Sequence, residues 1–304
     1  MKNNIYVRSN KSIKNISFIR MILLLPIILY GIYKHGVYLY LNKYVDVLHM
    51  FKPLVFILIG AFIGIFVNIV YEYIFKRSKE KLIDVIFSSF HMEYGILLGC
   101  IVSINTNILL YTGVTFGLFF ISKFIKNRIN IMALVFLIIY LVSIYVLDGY
   151  SYLNMYDTSK VFSLDFMDYM IGKGAGGIAA TNIVLIIISI IGMGVSSNTK
   201  TNITISSISV LAVLFGVYAI ITGNSYGSLL LSNSYIFICT YVATDYVTSS
   251  YTMNGILIYG ILFGVLTFGL YFVNPILAPY IAILITSLFN NVIDRIGNKF
   301  IKEN

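Results

Sequence analysis

The sequence has 304 residues, of which 59% are hydrophobic and 11% charged, against roughly 25% charged in an ordinary soluble domain. With a mean hydropathy of +0.91, this excludes a soluble globular protein, a disordered chain and a disulfide-stapled secreted domain. Continuous rather than alternating apolar stretches argue against a β-barrel, and the net charge of +9 points to basic loops that fix membrane topology rather than to nucleic acid.

At about 20 apolar residues per crossing, the chain has room for roughly ten spans joined by short loops. The first residues are polar and basic, with Lys2, Arg8, Lys11, Lys14 and Arg20, and residues 1–18 are expected to form a cytoplasmic tail. The apolar run MILLLPIILYGIY predicts a membrane helix over about 19–33, kinked at Pro26. No small-residue cleavage site follows it, as a signal peptide would require. Further spans are expected over 54–74, 92–104, 107–125, 129–147, 181–196, 204–222, 228–243, 255–273 and 276–293. The third and eighth, HMEYGILLGCIVSI and SNSYIFICTYVA, are short and end in polar residues, Asn105 and Thr106 in one case and Thr244 and Asp245 in the other.

Short or broken spans at matching places in two halves are a pointer to a buried site. The expected fold is therefore an all-α polytopic membrane protein of about ten transmembrane helices, arranged as two inverted five-helix repeats. The first repeat would span 19–147 and the second 181–294, with an extracytoplasmic loop over 148–180 and a cytoplasmic tail over 295–304. With the N-terminus inside, 16 Lys and Arg fall on the cytoplasmic side and 5 outside, which predicts that both termini are cytoplasmic and that the chain lies in the plasma membrane.

There is no GxxxxGK[ST], HExxH or GxSxG motif, and no catalytic residue or metal site is expected. His35, His49 and His91 are far apart in sequence and are expected at membrane interfaces. Cys100 and Cys239, both in apolar segments, are expected to be buried small hydrophobes. Asp245 is more informative, because an acidic residue at a membrane-embedded helix end needs a partner. With Thr244 and Thr248 it could offer oxygen ligands to a cation along an ion pathway; the alternative is a helix-end cap in a cytoplasmic turn. Gly172, Gly174, Gly176 and Gly177 run into Thr181 and the sixth span. Their amides could bind an anion, or the glycines could serve close helix packing or a re-entrant loop. Glu72 and Glu93 are expected to be solvated or paired near the inner face, with Glu93 opening the third span.

YVATDYVTSS, the glycine-bearing span GILIYGILFGVLTFGLYFV and the ending NNVIDR resemble the D subunit of Rnf complexes and, in the same family, the B subunit of the sodium-pumping NADH:quinone reductase. The opening LLPIILYGIYKHG resembles the family's first span, and the most specific piece is ATD-x-VTS at 243–249. The resemblance implies ten helices in two inverted halves, working with other membrane subunits of an Rnf-like complex that passes electrons and moves sodium ions or protons. The complex's four-cysteine intramembrane cluster belongs to other subunits.

The resemblance also implies FMN joined through its phosphate to a threonine in a motif like D-x-x-SGAT. In DGYSYLNM, Asp148 and Ser151 match and the threonine position falls on Asn154, which cannot form the phosphoester, so FMN or riboflavin is expected to be held non-covalently or not at all. In AGGIAATN the family's threonine is kept as Thr181 and its glutamate falls on Ala180. KNRINIMALVF replaces a glycine-rich stretch after the fourth span, and the proline of ATDP becomes Tyr246. Two readings follow: a D-like subunit of a redox-driven ion-translocating complex, or a paralogue of the same fold that serves as a non-redox transporter, channel or scaffold.

Overall fold

The computed structural model describes residues 13–125, 128–147, 149–152, 164–196 and 200–302, and these are all-helical, with no strand among them. Four helices are long and apolar enough to cross a membrane: α1 (Ile13–Leu41), α2 (Val47–Phe75), α9 (Thr201–Thr222) and α12 (Met253–Tyr271). Shorter apolar helices are α5 (Ile108–Ser122), α6 (Ile131–Val146), α8 (Ile183–Ser196) and α13 (Ala278–Leu288). Between them lie α3 (Leu82–Ile86), α4 (His91–Ile101), α7 (Phe166–Ile171), α10 (Tyr226–Leu230) and α11, which begins at Tyr235–Phe237 and continues as a π-helical turn, Ile238–Val242. The chain closes with the amphipathic α14 (Asn290–Lys302).

The helix starts follow the chemistry of their first residues. Asn107 accepts from the amides of Leu109 and Leu110, Asn130 from that of Ala133 and Thr252 from that of Gly255, so each side chain satisfies amides that the helix leaves unpaired. The α2–α4 packing depends on glycine. A Cβ on Gly60 would overlap the carbonyl of Gly95, and a Cβ on Gly95 would overlap that of Gly60, so the two backbones approach as small-residue membrane interfaces allow.

Several expected edges move. The first helix extends past 33 through a π-helical turn, Tyr33–Val37, and the second begins at Val47 rather than 54, taking His49 and Lys52 into its first turns. The eighth segment is divided, with Asn233 and Ser234 at positive φ between α10 and α11. The tenth ends at Leu288 and is followed by α14, so the region expected as a tail continues as helix to Lys302.

Three cations assigned to loops or the tail are instead buried: Arg20, Lys34 and Lys200 are 2%, 0% and 4% exposed. They therefore report on packing rather than on topology, and without them the basic-residue bias is 14 to 4. His35 is also buried rather than interfacial, whereas His49 and His91 are partly exposed. Cys100 and Cys239 are buried and unpaired.

Candidate functional site

Two buried polar clusters lie at opposite ends of α1. Their anchors on that helix, Arg20 and Lys34, are 14 residues apart in sequence, or about 21 Å at 1.5 Å per residue. Between them α1 presents Leu24 and Ile27 to the apolar core.

The first cluster is built on the turn that follows α11. Asp245 is 3% exposed, and both of its carboxylate oxygens are bonded. Tyr94 of α4 donates its hydroxyl to Oδ1 at 2.6 Å. Thr248 donates its amide to Oδ2 at 3.1 Å and its hydroxyl at 2.6 Å. Both Thr248 bonds are local to this turn, and a tyrosine from the first half of the chain is added to them. Asn130 donates to Val242 O at 3.1 Å and to Thr248 Oγ1 at 3.2 Å, and Asn290 donates to Thr248 O at 2.9 Å. The Thr244 hydroxyl turns back to the carbonyl of Thr240, so among Thr244, Asp245 and Thr248 only the last two share a side-chain contact.

Arg20 reaches the same turn from α1. Its Nη2 donates to Tyr241 O at 2.6 Å and its Nη1 to Thr244 O at 3.3 Å, while Nε lies 2.6 Å from Glu93 Oε1. Glu93, 1% exposed, is therefore buried and paired rather than solvated. Asp294 of α14 accepts from the amides of Tyr251 and Thr252 and from the Ser250 hydroxyl, which ties down the end of the turn.

Lys200, in the loop before α9, donates to Ser249 Oγ at 2.8 Å, Ser249 O at 3.0 Å and Tyr246 O at 3.3 Å, and lies over the rings of Tyr246 and Tyr251. Burial pulls its ammonium down to about 7, against the pull of the Asp245 and Asp294 carboxylates. An unfolded lysine titrates near 10.4, so between about pH 7 and 10.4 the unfolded chain holds a proton that the folded chain has released. Stability should then rise with pH across that window. The melting temperature of the purified chain is expected to climb from pH 7 to 9 relative to that of Lys200→Met; parallel profiles would contradict the assignment.

A mainly apolar cavity of about 270 Å³ opens beside this cluster and is lined in part by Ser89, His91, Tyr94, Ser122, Asp245 and Thr248. His91 bridges Ser89 and Ser122 at 3.1 Å each.

The second cluster joins the glycine-rich loop to the end of α4. Lys34 donates to Gly174 O at 2.7 Å and to Thr181 Oγ1 at 3.1 Å. The Gly177 amide donates to Ser234 Oγ, that of Ile178 to Val102 O and that of Ala179 to Cys100 O. A Cβ on Gly177 would overlap the backbone of Ile101. These three amides are spent on Ser234 and on the end of α4, and Gly177 packs closely against Ile101.

Nearby, a cavity of about 440 Å³ is lined by Lys52, Ser103, Asn105, Thr106, Ser143 and Ser151 among others. Ser151 accepts from Ser103 Oγ at 2.6 Å through its carbonyl. Asp148 and Asn154 lie outside the described residues.

Arg20, Lys34, Tyr94, Asn130, Lys200, Asn290 and Asp294 carry these clusters and were not singled out by sequence reasoning as site residues. For the cations the available signal was a charge bordering or interrupting an apolar run. For Asp294 it was its place in NNVIDR.

An all-helical multi-pass membrane protein, with interrupted helices meeting buried charges, is the class that this fold and site define. The sequence model of the NQR2, RnfD, RnfE family matches residues 1–302, and the chain belongs to that family. A comparison with curated proteins found no match.

Proposed function

We propose that the chain is a D-like integral subunit of a redox-driven ion-translocating complex, in which Asp245 and Thr248, with the carbonyl of Thr244, line the ion pathway. The observation that carries this reading is the buried Asp245 carboxylate at a helix interruption, bonded to Tyr94 of the other half of the chain and open to a cavity. Family membership supports a place among other membrane subunits in a bilayer. The order of apolar segments supports ten spans in two inverted halves, including the interrupted third (α4) and eighth (α10 and α11). The remaining basic-residue bias supports two cytoplasmic termini in the plasma membrane. Moving one charge against 100 mV takes about 2.3 kcal/mol, which the redox steps would supply.

FMN, the cofactor that the family implies, is compatible with the larger cavity. Lys52 is the one charged group among its described lining residues, and Ser143 Oγ is buried there without a hydrogen-bond partner. Both suit the phosphate-bearing end of a non-covalently held flavin. When bound, a flavin supplies one- and two-electron transfer. The bonded amides near Gly177 offer it no cradle. That loss, with Asn154 in the threonine position, favours as second reading a paralogue that moves ions without flavin, or that scaffolds its partners.

Flavin content of the protein purified with its partners separates these readings. Flavin released on denaturation is the expected result, and its absence would favour the second. Asp245→Asn keeps the shape and removes the charge that Tyr94 and Thr248 bond. Ion flux in reconstituted complex should fall by about ten-fold or more with assembly intact. Unchanged flux would remove Asp245 from the pathway and favour a scaffold.

A further inference from the structure

The last helix, α14, has three unlike sides. One is packed. Ile293 and Gly297 are buried, and a Cβ on Gly297 would overlap the Gly255 amide in the first turn of α12. On the same side Asn290 donates to Thr248 O at 2.9 Å, and Asp294 accepts from the amides of Tyr251 and Thr252. The second side is apolar and open: Val292 and Ile296 are exposed, as are Leu288 and Phe289 just before them. The third is basic. Arg295 is exposed and makes no ion pair among the described residues. In the sequence, Lys299 and Lys302 follow it at intervals of four and three, the spacing of one helix side. Asp294 is the one acidic residue of 290–302. It is spent on the turn and lies 3.7 Å from Arg128, so the charge that α14 offers a partner is positive.

We propose that α14 lies along the membrane surface and binds anionic phospholipid, with Val292 and Ile296 among the acyl chains and the basic side that begins at Arg295 against the lipid phosphates. An amphipathic helix with a basic polar side binds a bilayer surface through both. The place of α14 fits this. It follows α13 directly and packs on the first turn of α12, so it sits where two apolar helices of the bundle end. Its open apolar side continues from Leu288 and Phe289, at the level where acyl chains are the available neighbours. Cations alone would suit an acidic protein surface; cations beside an apolar strip at this level suit an anionic lipid. The contact also reaches inwards. Asn290 and Asp294 brace the segment from Thr248 to Thr252, directly after Asp245, so lipid held by α14 should stabilise that turn. The inference requires neither ion movement nor a flavin.

The test uses the full chain in phosphatidylcholine nanodiscs with or without phosphatidylglycerol, read by melting and by amide hydrogen exchange. Phosphatidylglycerol is expected to raise the melting temperature by about 3 °C or more and to slow exchange in α14 by about three-fold or more. Both gains should shrink at high salt. Arg295→Gln combined with Lys299→Gln and Lys302→Gln should lose most of both gains yet melt like wild type in phosphatidylcholine, and Arg295→Gln alone should lose part of them. Arg77→Gln with Lys79→Gln and Lys81→Gln removes the same charge from an exposed loop and should keep them. Gains that survive in the α14 variant would overturn the proposal, and so would equal losses in the two triple variants, which would make the attraction a property of the whole surface. A rise in melting temperature without slower exchange in α14 would place the lipid elsewhere and overturn it too. No gain in wild type would also overturn it, and would leave this side of α14 to an acidic protein surface.

Discussion

Gly60→Leu should prevent the chain from being recovered as a monodisperse protein, or lower its stability by at least about 3 kcal/mol. The added side chain would begin inside the carbonyl of Gly95. That neighbour is helix backbone and cannot move aside as a flexible side chain would. α2 and α4 would have to separate, and α4 carries Glu93 and Tyr94, so the Asp245 cluster should be lost with the packing. Gly113→Leu on α5 is the matched control: nothing lies within 4 Å of a Cβ there and the position is exposed. Size-exclusion profiles and melting curves of the two variants should differ sharply. Equal behaviour would show that the α2–α4 approach is not as close as described.

The second large effect concerns the ion pair at the start of α4. In Glu93→Ala the Arg20 guanidinium stays buried, with two carbonyls but no directly paired carboxylate. Breaking a buried pair from one side costs about 3–5 kcal/mol, whereas replacing both partners by apolar groups is often nearly neutral. Glu93→Leu combined with Arg20→Met should therefore recover part of the stability that Glu93→Ala loses, measured by melting in choline chloride. Additive losses in the double variant would mean that Arg20 and Glu93 act independently. The recovery should be incomplete, because Tyr241 O and Thr244 O would be left without their donor.

Apolar patterning alone shows the helical membrane class, the order of the apolar segments and the polar interruptions that follow α4 and α11. Continuous apolar runs of membrane length leave few other solutions, since every backbone amide in a bilayer must be bonded internally. It also marked Asp245, because a carboxylate at the end of such a run needs a partner to explain it. The sequence could not show which partner. Tyr94 lies 151 positions away, and only the packing of α4 against the turn after α11 brings the two together.

Arg20, Lys34 and Lys200 show the same limit from the other side. A basic residue bordering an apolar run is normally a topology signal in solvent. Here each is buried because carbonyls or hydroxyls from distant segments, Tyr241 and Thr244, Gly174 and Thr181, Tyr246 and Ser249, converge on it. The glycine-rich loop is a third case. Its composition allows an anion site or close packing equally, and only the tertiary structure shows that the amides of Ile178 and Ala179 are spent on carbonyls of Val102 and Cys100 at the end of α4. Local pattern fixes where a helix can exist, but which buried group meets which is set by contacts between segments far apart in the chain, and no short window of sequence contains both partners.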